Sequence, residues 1–201
     1  MAELILGSTS VYRRQLLARL GLAFRCEGSG VDEDAFKQRG LSPEALAQVL
    51  AREKALKVSE RFPGAVVIGS DQVAELDGQV FDKPGTVERA CAQLAQLQGR
   101  THRLLTAVCV VDAQGEVHAF MNAYALTMRT LTERQIRRYV EQDQPLDCCG
   151  SFRMESLGVS LFSSVEGSDP TAIEGLPLMQ LTQVLSSLGL HPLGSDETVS
   201  A

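Results

Sequence analysis

The sequence predicts an α/β protein with a mixed β-sheet and flanking helices. Three observations lead to this fold class. Segments of helical composition alternate along the chain with short apolar segments. Residues 65–68 form a continuous apolar run, as in strands that are covered on both faces. Two pairs of apolar segments are joined by short turns, which predicts hairpins within the same sheet.

The first part of the chain predicts two strands around one helix. Residues 3–7 and 23–26 are short apolar segments that we expect to be strands. Between them a helix is predicted over residues 10–20, with Ser10 as its N-cap. Residues 27–41 are polar and are predicted to form a loop.

The middle of the chain predicts a long helix followed by a hairpin. Ser42 with Pro43 is a helix-start signal, and we expect this helix to continue to about residue 62. The apolar strand over residues 65–68 follows, and residues 69–71 are predicted to interrupt it. Residues 77–78 have the Asp-Gly pattern of a tight turn, which predicts a hairpin there.

The second half adds helices, another hairpin and an irregular region. Helices are predicted over residues 86–98, 132–142 and 176–188, and paired strands over residues 104–111 and 117–128. Residues 145–171 contain several glycines and are predicted to be a functional loop region rather than a linker.

Composition limits the classes of function. The 201 residues are 44% hydrophobic, which predicts one domain over residues 1–193 followed by a polar tail over residues 194–201. The net charge of −6 excludes a general attraction to long nucleic acid, so phosphate binding has to be local. The sequence has neither a signal-peptide pattern nor a membrane-length apolar run, so we expect a cytoplasmic protein with no membrane partner. The five cysteines have no CxxC spacing, which favours reduced thiols.

The start of the first helix predicts a phosphate site. Ser8, Arg13 and Arg14 surround a predicted helix N-terminus, where free N–H groups and the helix dipole attract anions. Arginine adds bidentate binding of phosphate oxygens. The structural alternative is an N-cap at Ser10 followed by two solvated arginines.

Two lysines extend this set of cations. The helical neighbours of Lys54 are apolar, so its ammonium is directed towards the protein body, unless it snorkels to the surface. Lys83 precedes Pro84, which fixes an extended or turn backbone that presents the lysine rigidly. Such turns also occur on plain surfaces.

Carboxylates complete the predicted chemistry. Asp71 follows a buried strand. Burying an unpaired carboxylate there costs free energy, so we expect a metal, a cation or a catalytic function to compensate this cost. Asp32 and Glu33 lie in the predicted loop and are candidate partners for a Mg²⁺-type ion, although acidic surface loops are common. Cations and carboxylates together predict metal-assisted attack on a polyphosphate. The sequence has no P-loop motif, which argues against a P-loop nucleotidase.

The order of these motifs resembles the Maf family of nucleoside triphosphate pyrophosphatases. The matching blocks are residues 4–14, 31–33, 53–55, 68–73, 83–84, 139–140, 149–152 and 175–178. The resemblance implies α,β cleavage of a nucleoside triphosphate to a monophosphate and pyrophosphate, assisted by Mg²⁺, Mn²⁺ or Co²⁺. The implied fold has a twisted sheet and two lobes around a long cleft, as in inosine triphosphatases, and is often a homodimer.

The resemblance also implies roles for individual residues. Asp71 corresponds to the catalytic carboxylate, as general base or as holder of the metal-bound water. Phosphate and metal groups fall on residues already singled out: Ser8, Arg13, Arg14, Glu33, Lys54 and Lys83. The chain departs from the family pattern at Gly7, Val11 and Cys149, where Ala, Pro and Ala are more usual.

Three positions bear on the choice of base. Tyr12, Gln72 and Glu155 are similar to the family branch that acts on 7-methylguanosine triphosphate, whereas pyrimidine-specific members carry Arg, Thr and Gln. A carboxylate at Glu155 accepts the N1–H and N2–H₂ donors of guanine, and the Tyr12 ring attracts a cationic methylated base. The alternatives are a surface aromatic for Tyr12 and a solvated acid for Glu155.

The leading hypothesis is therefore an enzyme that removes modified nucleotides. The competing hypotheses are a dTTP/UTP pyrophosphatase of the same family, an inosine or xanthosine triphosphatase, and a non-catalytic nucleotide-binding regulator of cell division. A nucleotide is the expected partner in each case.

Overall fold

The computed structural model describes residues 2–194. This part of the chain has seven strands and six α-helices, which confirms the predicted α/β class. The strands are β1 (Leu4–Leu6), β2 (Arg25–Cys26), β3 (Val66–Leu76), β4 (Gln79–Phe81), β5 (Thr101–Val111), β6 (Val117–Met128) and β7 (Phe162–Glu166). The helices are α1 (Val11–Ala18), α2 (Glu33–Lys37), α3 (Pro43–Ser59), α4 (Val87–Leu97), α5 (Glu133–Asp143) and α6 (Leu178–Ser187). Short 3₁₀ helices cover Cys149–Ser151, Leu157–Leu161 and Pro170–Glu174. Residues 195–201 of the predicted tail lie outside the described residues.

The sheet is mixed, as predicted. Its strand order is β2-β1-β3-β5-β6-β7, and β4 pairs with the end of β3. β1 is parallel to both β2 and β3, whereas the pairs from β3 through β5 and β6 to β7 are antiparallel. The predicted turn at residues 77–78 joins β3 to β4, and Asp77 and Gly78 both have positive φ, as a type I′ turn requires.

The predicted interruption at residues 69–71 is wrong. β3 continues through these residues because Gly69, Ser70 and Asp71 stay in register with β5. The sequence suggested a break because glycine, serine and aspartate are uncommon in strand interiors. Pairing with a long neighbouring strand outweighs that local preference.

Two predicted loops contain further elements. Residues 27–41 include α2, which begins at the N-cap Asp32, whose side chain accepts a hydrogen bond from Ala35 N. Residues 145–171 include the edge strand β7, which pairs with the end of β6. Both elements are short, so their sequence patterns are weak and tertiary contacts decide them.

One edge of β3 has a gap that positions the site. β1 pairs with residues 66–68 and β4 pairs with residues 74–76. Within residues 2–194, no strand pairs with residues 69–73 on this edge. Asp71 therefore lies at the centre of an open stretch of strand.

The sheet carries different packing on its two faces. One face is covered by α3, through apolar side chains that include Ala47, Leu50 and Ala55. The other face has two separate apolar clusters, one around α1 and α6 and one around α4 and α5.

A row of polar side chains crosses the sheet on the face with the two clusters. Gln72 of β3 is in register with Thr106 of β5, which is in register with Asn122 of β6. Thr106 and Asn122 are buried. A segment of the chain over residues 168–175, called here the crossing segment, lies on this row and is hydrogen-bonded to it.

No helix of the described part of the chain is long and apolar enough to cross a membrane.

His102 is a buried titratable residue outside the cleft. Its exposed fraction is 1%, and its ring packs edge-on against Phe152 and beside Phe162. Neither ring nitrogen has a hydrogen-bond partner among the described residues. Burial lowers the pKa of His102 to about 4, although the nearby Glu75 carboxylate acts in the opposite direction.

This burial predicts a loss of stability in mild acid. As the pH falls, the unfolded chain binds a proton on His102 near its ordinary pKa of 6.5, whereas the folded imidazole does so only near 4. We expect the free energy of unfolding to decrease by about 2 kcal/mol between about pH 7.5 and about pH 5. Urea unfolding at the two pH values measures this decrease, and the variant His102→Leu serves as the comparison. An equally steep pH dependence in His102→Leu would contradict the assignment.

Candidate active site

A cleft opens at the gap in β3. Its floor includes residues 71–73, one wall includes the start of α1 and residues 28–31, and the other wall includes residues 80–83 and 147–149. Its volume of about 830 Å³ is within the range of small-molecule sites. The cleft is lined by nine of the ten side chains predicted for the site: Ser8, Tyr12, Arg13, Glu33, Lys54, Asp71, Gln72, Lys83 and Glu155.

Lys54 joins two carboxylates at the floor of the cleft. Its Nζ lies 2.6 Å from Asp71 Oδ1 and 2.6 Å from Glu33 Oε1. The side chains of Lys54 and Asp71 are 8% and 9% exposed, whereas that of Glu33 is 43% exposed. Lys54 is therefore buried towards the protein body rather than snorkelling to the surface.

A close approach of α3 to β3 makes this contact geometrically possible. A Cβ atom on Gly69 would lie 2.2 Å from Ala51 O and 2.6 Å from Ala55 N. Only glycine therefore lets the helix backbone pack so closely on the strand. Because Ala51 and Ala55 are on either side of Lys54 in the chain, this contact holds the lysine beside Asp71.

Burial and charge act in opposite directions on the two carboxyl groups. Burial dominates at Asp71 and raises its pKa, despite the attraction of Lys54 and Arg13. Burial also raises the pKa of Glu33, but the Lys54 ammonium and its hydrogen bond outweigh this effect and lower the pKa overall. The site thus combines Glu33, whose lowered pKa favours the ionised form, with Asp71, whose raised pKa makes it the stronger proton acceptor.

The two carboxylates fit a divalent cation of the Mg²⁺ type. Such an ion needs one or two protein carboxylates and takes further oxygen ligands from water and substrate phosphates. Glu33 and Asp71 already converge on one cationic nitrogen, so both can face one positive charge. Residues 2–194 contain no cluster of three or more His, Cys, Asp or Glu side chains suited to a metal. Water or phosphate oxygens would complete the coordination.

Arg13 is anchored at the cleft by its inner nitrogen. Ser10 caps α1, and Ser8 Oγ accepts a hydrogen bond from Ser10 N. Arg13 Nε donates to the carbonyl of Gly175 at 3.0 Å. In the described part of the chain this is the only hydrogen bond of the guanidinium, so both Nη groups remain available for a ligand.

The two other predicted phosphate ligands are placed differently. Lys83 is exposed at the cleft, and its charge helps to lower the pKa of Glu33, after the effects of burial and Lys54. Arg14 is exposed and does not line the cleft. Its assignment to the phosphates stays a prediction.

Tyr12 and Glu155 lie at another part of the cleft. The Tyr12 hydroxyl donates to Asp147 Oδ1 at 3.3 Å, and Arg153 Nη2 donates to the same oxygen at 3.1 Å. Burial, followed by nearby Cys148 and Asp147, raises the pKa of Tyr12, so the phenol stays neutral. Glu155 is exposed at the cleft and forms no ion pair with the described residues. Its carboxylate is free to accept hydrogen bonds.

Gln72 is largely occupied by the protein itself. Its Nε2 donates to Thr106 Oγ1 and to the carbonyls of Ala172 and Ile173, at 2.9, 2.9 and 3.1 Å. Its Oε1 accepts from Cys149 Sγ at 3.5 Å. The amide nitrogen therefore has no hydrogen left for a base, and the predicted role of Gln72 in base selection rests on Oε1 alone.

Sequence reasoning missed several residues of the cleft. Lys37 lies 3.0 Å from Asp82 and connects α2 to the loop that carries Lys83. An acidic first turn and a lysine in the last turn are helix signals, but α2 has only five residues, so these signals are weak. For Asp147 and the carbonyl of Gly175 no local signal exists, because both act through contacts across the fold.

The cysteines form no disulfide among the described residues. All five are free thiols. Burial raises the pKa of Cys148 to about 11 and that of Cys149 to about 12, so both stay protonated and unreactive at neutral pH. These values are typical of cysteines that act as small, partly buried side chains.

The fold and the cleft define an α/β protein in which cations and carboxylates face one nucleotide-sized cleft. The profile of the Maf-like protein family matches residues 3–188, and the chain belongs to this family.

Two curated relatives match nearly the whole chain. The 7-methyl-GTP pyrophosphatase of Xanthomonas oryzae pv. oryzae (strain MAFF 311018) is 50% identical over 191 residues, which cover 95% of this chain and 99% of that protein. The 7-methyl-GTP pyrophosphatase of Bdellovibrio bacteriovorus is 43% identical over 190 residues, which cover 94% and 98%. Among solved structures, a HAM1 protein from Coxiella burnetii is similar with 13% identity and a TM-score of 0.47, over 93% of this chain and 100% of that chain.

Proposed function

We propose that this protein hydrolyses 7-methylguanosine triphosphate to 7-methylguanosine monophosphate and pyrophosphate. The observation that carries the proposal is the cluster of Glu33, Lys54 and Asp71 on the floor of a cleft that Arg13 also faces. Family membership and the names of relatives at 43–50% identity support the same reaction.

The phosphates are assigned to the cations of the cleft. Arg13 binds phosphate oxygens through its two Nη groups, while Ser8 and Lys83 contribute a hydroxyl and a second charge. Lys54 keeps Asp71 and Glu33 in place and offsets their charge when the polyanion enters. A bound Mg²⁺ would be held by Glu33 and Asp71 and would supply neutralisation of the phosphate charge.

Asp71 is assigned to the attacking water. Its carboxylate accepts a proton from water as the water oxygen bonds to the α-phosphorus. The bond from the α-phosphorus to the α,β-bridging oxygen breaks, and pyrophosphate leaves with the bonding electrons. A carboxylate whose pKa is raised by burial is a stronger base than an exposed one, which suits this step.

Recognition of the guanine base of the nucleotide is assigned to Tyr12 and Glu155. The Tyr12 ring offers an aromatic face to a cationic N7-methylated base, with an attraction on the order of 1 to 2 kcal/mol when desolvated. Glu155 accepts the adjacent N1–H and N2–H₂ donors of guanine, which a pyrimidine lacks.

A panel of substrates tests the proposal and its alternatives. The protein is incubated in Mg²⁺ with 7-methyl-GTP, GTP, dTTP, UTP or xanthosine triphosphate, and the products are separated by chromatography. We expect 7-methyl-GTP to have the highest kcat/KM and to yield pyrophosphate. In Glu155→Gln, kcat/KM for 7-methyl-GTP should fall about tenfold, as for the loss of one charge-assisted hydrogen bond. The exposed Glu133, outside the cleft, provides the control Glu133→Gln.

Each alternative has its own outcome in this panel. Orthophosphate as the only product would refute α,β cleavage. Preference for dTTP or UTP would indicate the pyrimidine branch, and preference for xanthosine triphosphate a deaminated-purine enzyme. Nucleotide binding without product over several hours would indicate the non-catalytic regulator.

We also propose a domain organisation, a cellular location, an oligomeric state and a metal ion. We place residues 1–193 in one domain with a tail over residues 194–201, and we propose a cytoplasmic homodimer without a nucleic-acid or membrane partner. Mg²⁺ is the proposed ion, with Mn²⁺ and Co²⁺ as substitutes.

A further inference from the structure

The crossing segment is fastened to the polar row of the sheet at several points. Thr106 Oγ1 and Gln72 Nε2 both donate to the carbonyl of Ala172 at 2.9 Å. Asn122 Nδ2 donates to Ser168 Oγ at 3.0 Å. These three donors are polar side chains on a sheet face that is otherwise apolar. The crossing segment supplies the oxygen atoms that accept their hydrogen bonds.

The other side of the crossing segment is fastened to α6. The Asp169 carboxylate is 1% exposed and accepts hydrogen bonds from the backbone N–H groups of Thr171, Met179 and Gln180. Thr171 Oγ1 accepts from Leu178 N at 2.7 Å. The segment is therefore held on two sides and has little freedom to shift.

The end of this segment presents one carbonyl to two donors. Gly175 O accepts from Ser70 Oγ at 3.1 Å and from Arg13 Nε at 3.0 Å. Gly175 has a φ of 109°, a conformation that glycine adopts without strain, and this turn directs its carbonyl to the cleft. Ser70 is fully buried and cannot itself touch a ligand.

We propose that the Gly175 carbonyl, held by Ser70, positions the Arg13 guanidinium for an oligophosphate. An arginine side chain has several rotatable bonds, and a phosphate ligand must otherwise order all of them. The Nε tether fixes the plane of the guanidinium while both Nη groups stay free, so the fork is set before the ligand arrives. Ser70 is a positioning residue that acts through Gly175, and this inference rests on the proposed function only in the nature of the ligand.

This arrangement gives structural roles to residues 175–178 and to Gln72. The block over residues 175–178 resembles the family pattern without an assigned task, and it now supplies the anchor of Arg13. Gln72 donates to the carbonyls of Ala172 and Ile173, so its amide holds the middle of the crossing segment.

A double-mutant cycle on binding tests the inference. Four proteins are compared: the unaltered chain, Ser70→Ala, Arg13→Gln and the double variant. Binding of inorganic tripolyphosphate with Mg²⁺ is followed by ³¹P NMR, which does not depend on turnover. We expect Ser70→Ala to weaken binding about fivefold and Arg13→Gln about 100-fold. In the Arg13→Gln background, the effect of Ser70→Ala should shrink to less than about twofold, because its target is gone.

Thr106→Val is the matched control. It also removes a buried hydroxyl that donates to the crossing segment, but to Ala172 and not to Gly175. Its effect on binding should be the same factor in both Arg13 backgrounds. Thermal unfolding of each variant checks that the fold is retained.

Arg13→Lys provides a second test that leaves the core unchanged. Lysine keeps the charge, but its single nitrogen cannot reproduce an Nε bond to the Gly175 carbonyl together with two free Nη groups, so binding should weaken at least about 20-fold. If Arg13→Lys retained binding within about threefold, the inference would be overturned. An equal effect of Ser70→Ala in both Arg13 backgrounds would also overturn it. So would a lack of tripolyphosphate binding by the unaltered chain. If coupling is found but no nucleotide is hydrolysed, the inference stands and the proposed function fails.

Discussion

Replacing Asp71 with Asn is expected to reduce kcat for 7-methyl-GTP by about 10³-fold or more, the size of effect typical of a lost general base. Asparagine has the same shape as aspartate but can neither accept the proton of the attacking water nor hold a cation by charge. Steady-state kinetics in Mg²⁺ measures the effect. Because Glu33 still pairs with Lys54 at 2.6 Å, we expect the variant to remain folded.

Asp112→Asn is the control for this substitution. Asp112 is also buried, but it lies outside the cleft, where it accepts hydrogen bonds from Gln114 N and Glu116 N. This change should lower the melting temperature and leave kcat within about twofold, because the reacting groups are untouched. If Asp71→Asn kept more than about a tenth of the activity, Asp71 would not be the catalytic base.

Replacing Lys54 with Met should have the largest effect on stability. It leaves the carboxylate of Asp71 buried without its cationic partner, which we expect to reduce the free energy of unfolding by about 3 kcal/mol. Urea unfolding at neutral pH measures the loss. Activity should fall as well, since Asp71 would respond by binding a proton and could no longer act as a base.

Two variants separate this effect from a general change in α3. Lys57→Met removes an exposed lysine three residues further along the same helix and should change stability by less than about 0.5 kcal/mol. The double variant Lys54→Met with Asp71→Asn should recover much of the lost stability, because no buried charge is left alone. A destabilisation by Lys54→Met that the second substitution does not relieve would show that packing, not charge, is responsible.

Several parts of the fold and site could be predicted because their causes are local. The apolar neighbours of Lys54 at helical spacing indicate that its side chain faces the protein body, and the structure places it there with 8% exposure. The Asp-Gly turn at residues 77–78 and the N-caps Ser10, Ser42 and Thr132 set element boundaries through contacts within four residues.

Other parts could not be predicted because distant segments decide them. β3 continues through residues 69–71 because β5 pairs with it, and β7 exists because β6 ends beside it. Arg13 and Arg14 are adjacent in the sequence and chemically alike, yet only Arg13 lines the cleft. The rotation of α1 on its apolar cluster makes this difference.

The sequence by itself determined the kinds of chemical groups present and, for Arg13 and Lys54, the helix that carries each one. Cations at a helix start, a lysine on an apolar helix face and an aspartate after a buried strand sufficed to predict polyphosphate chemistry. Only the tertiary structure decided which groups meet. The bond from Arg13 to Gly175 joins residues 162 positions apart, and that from Ser70 to the same carbonyl joins residues 105 apart. Local spacing fixes the direction of a side chain over a turn or two, whereas such contacts depend on how separate elements pack on one sheet.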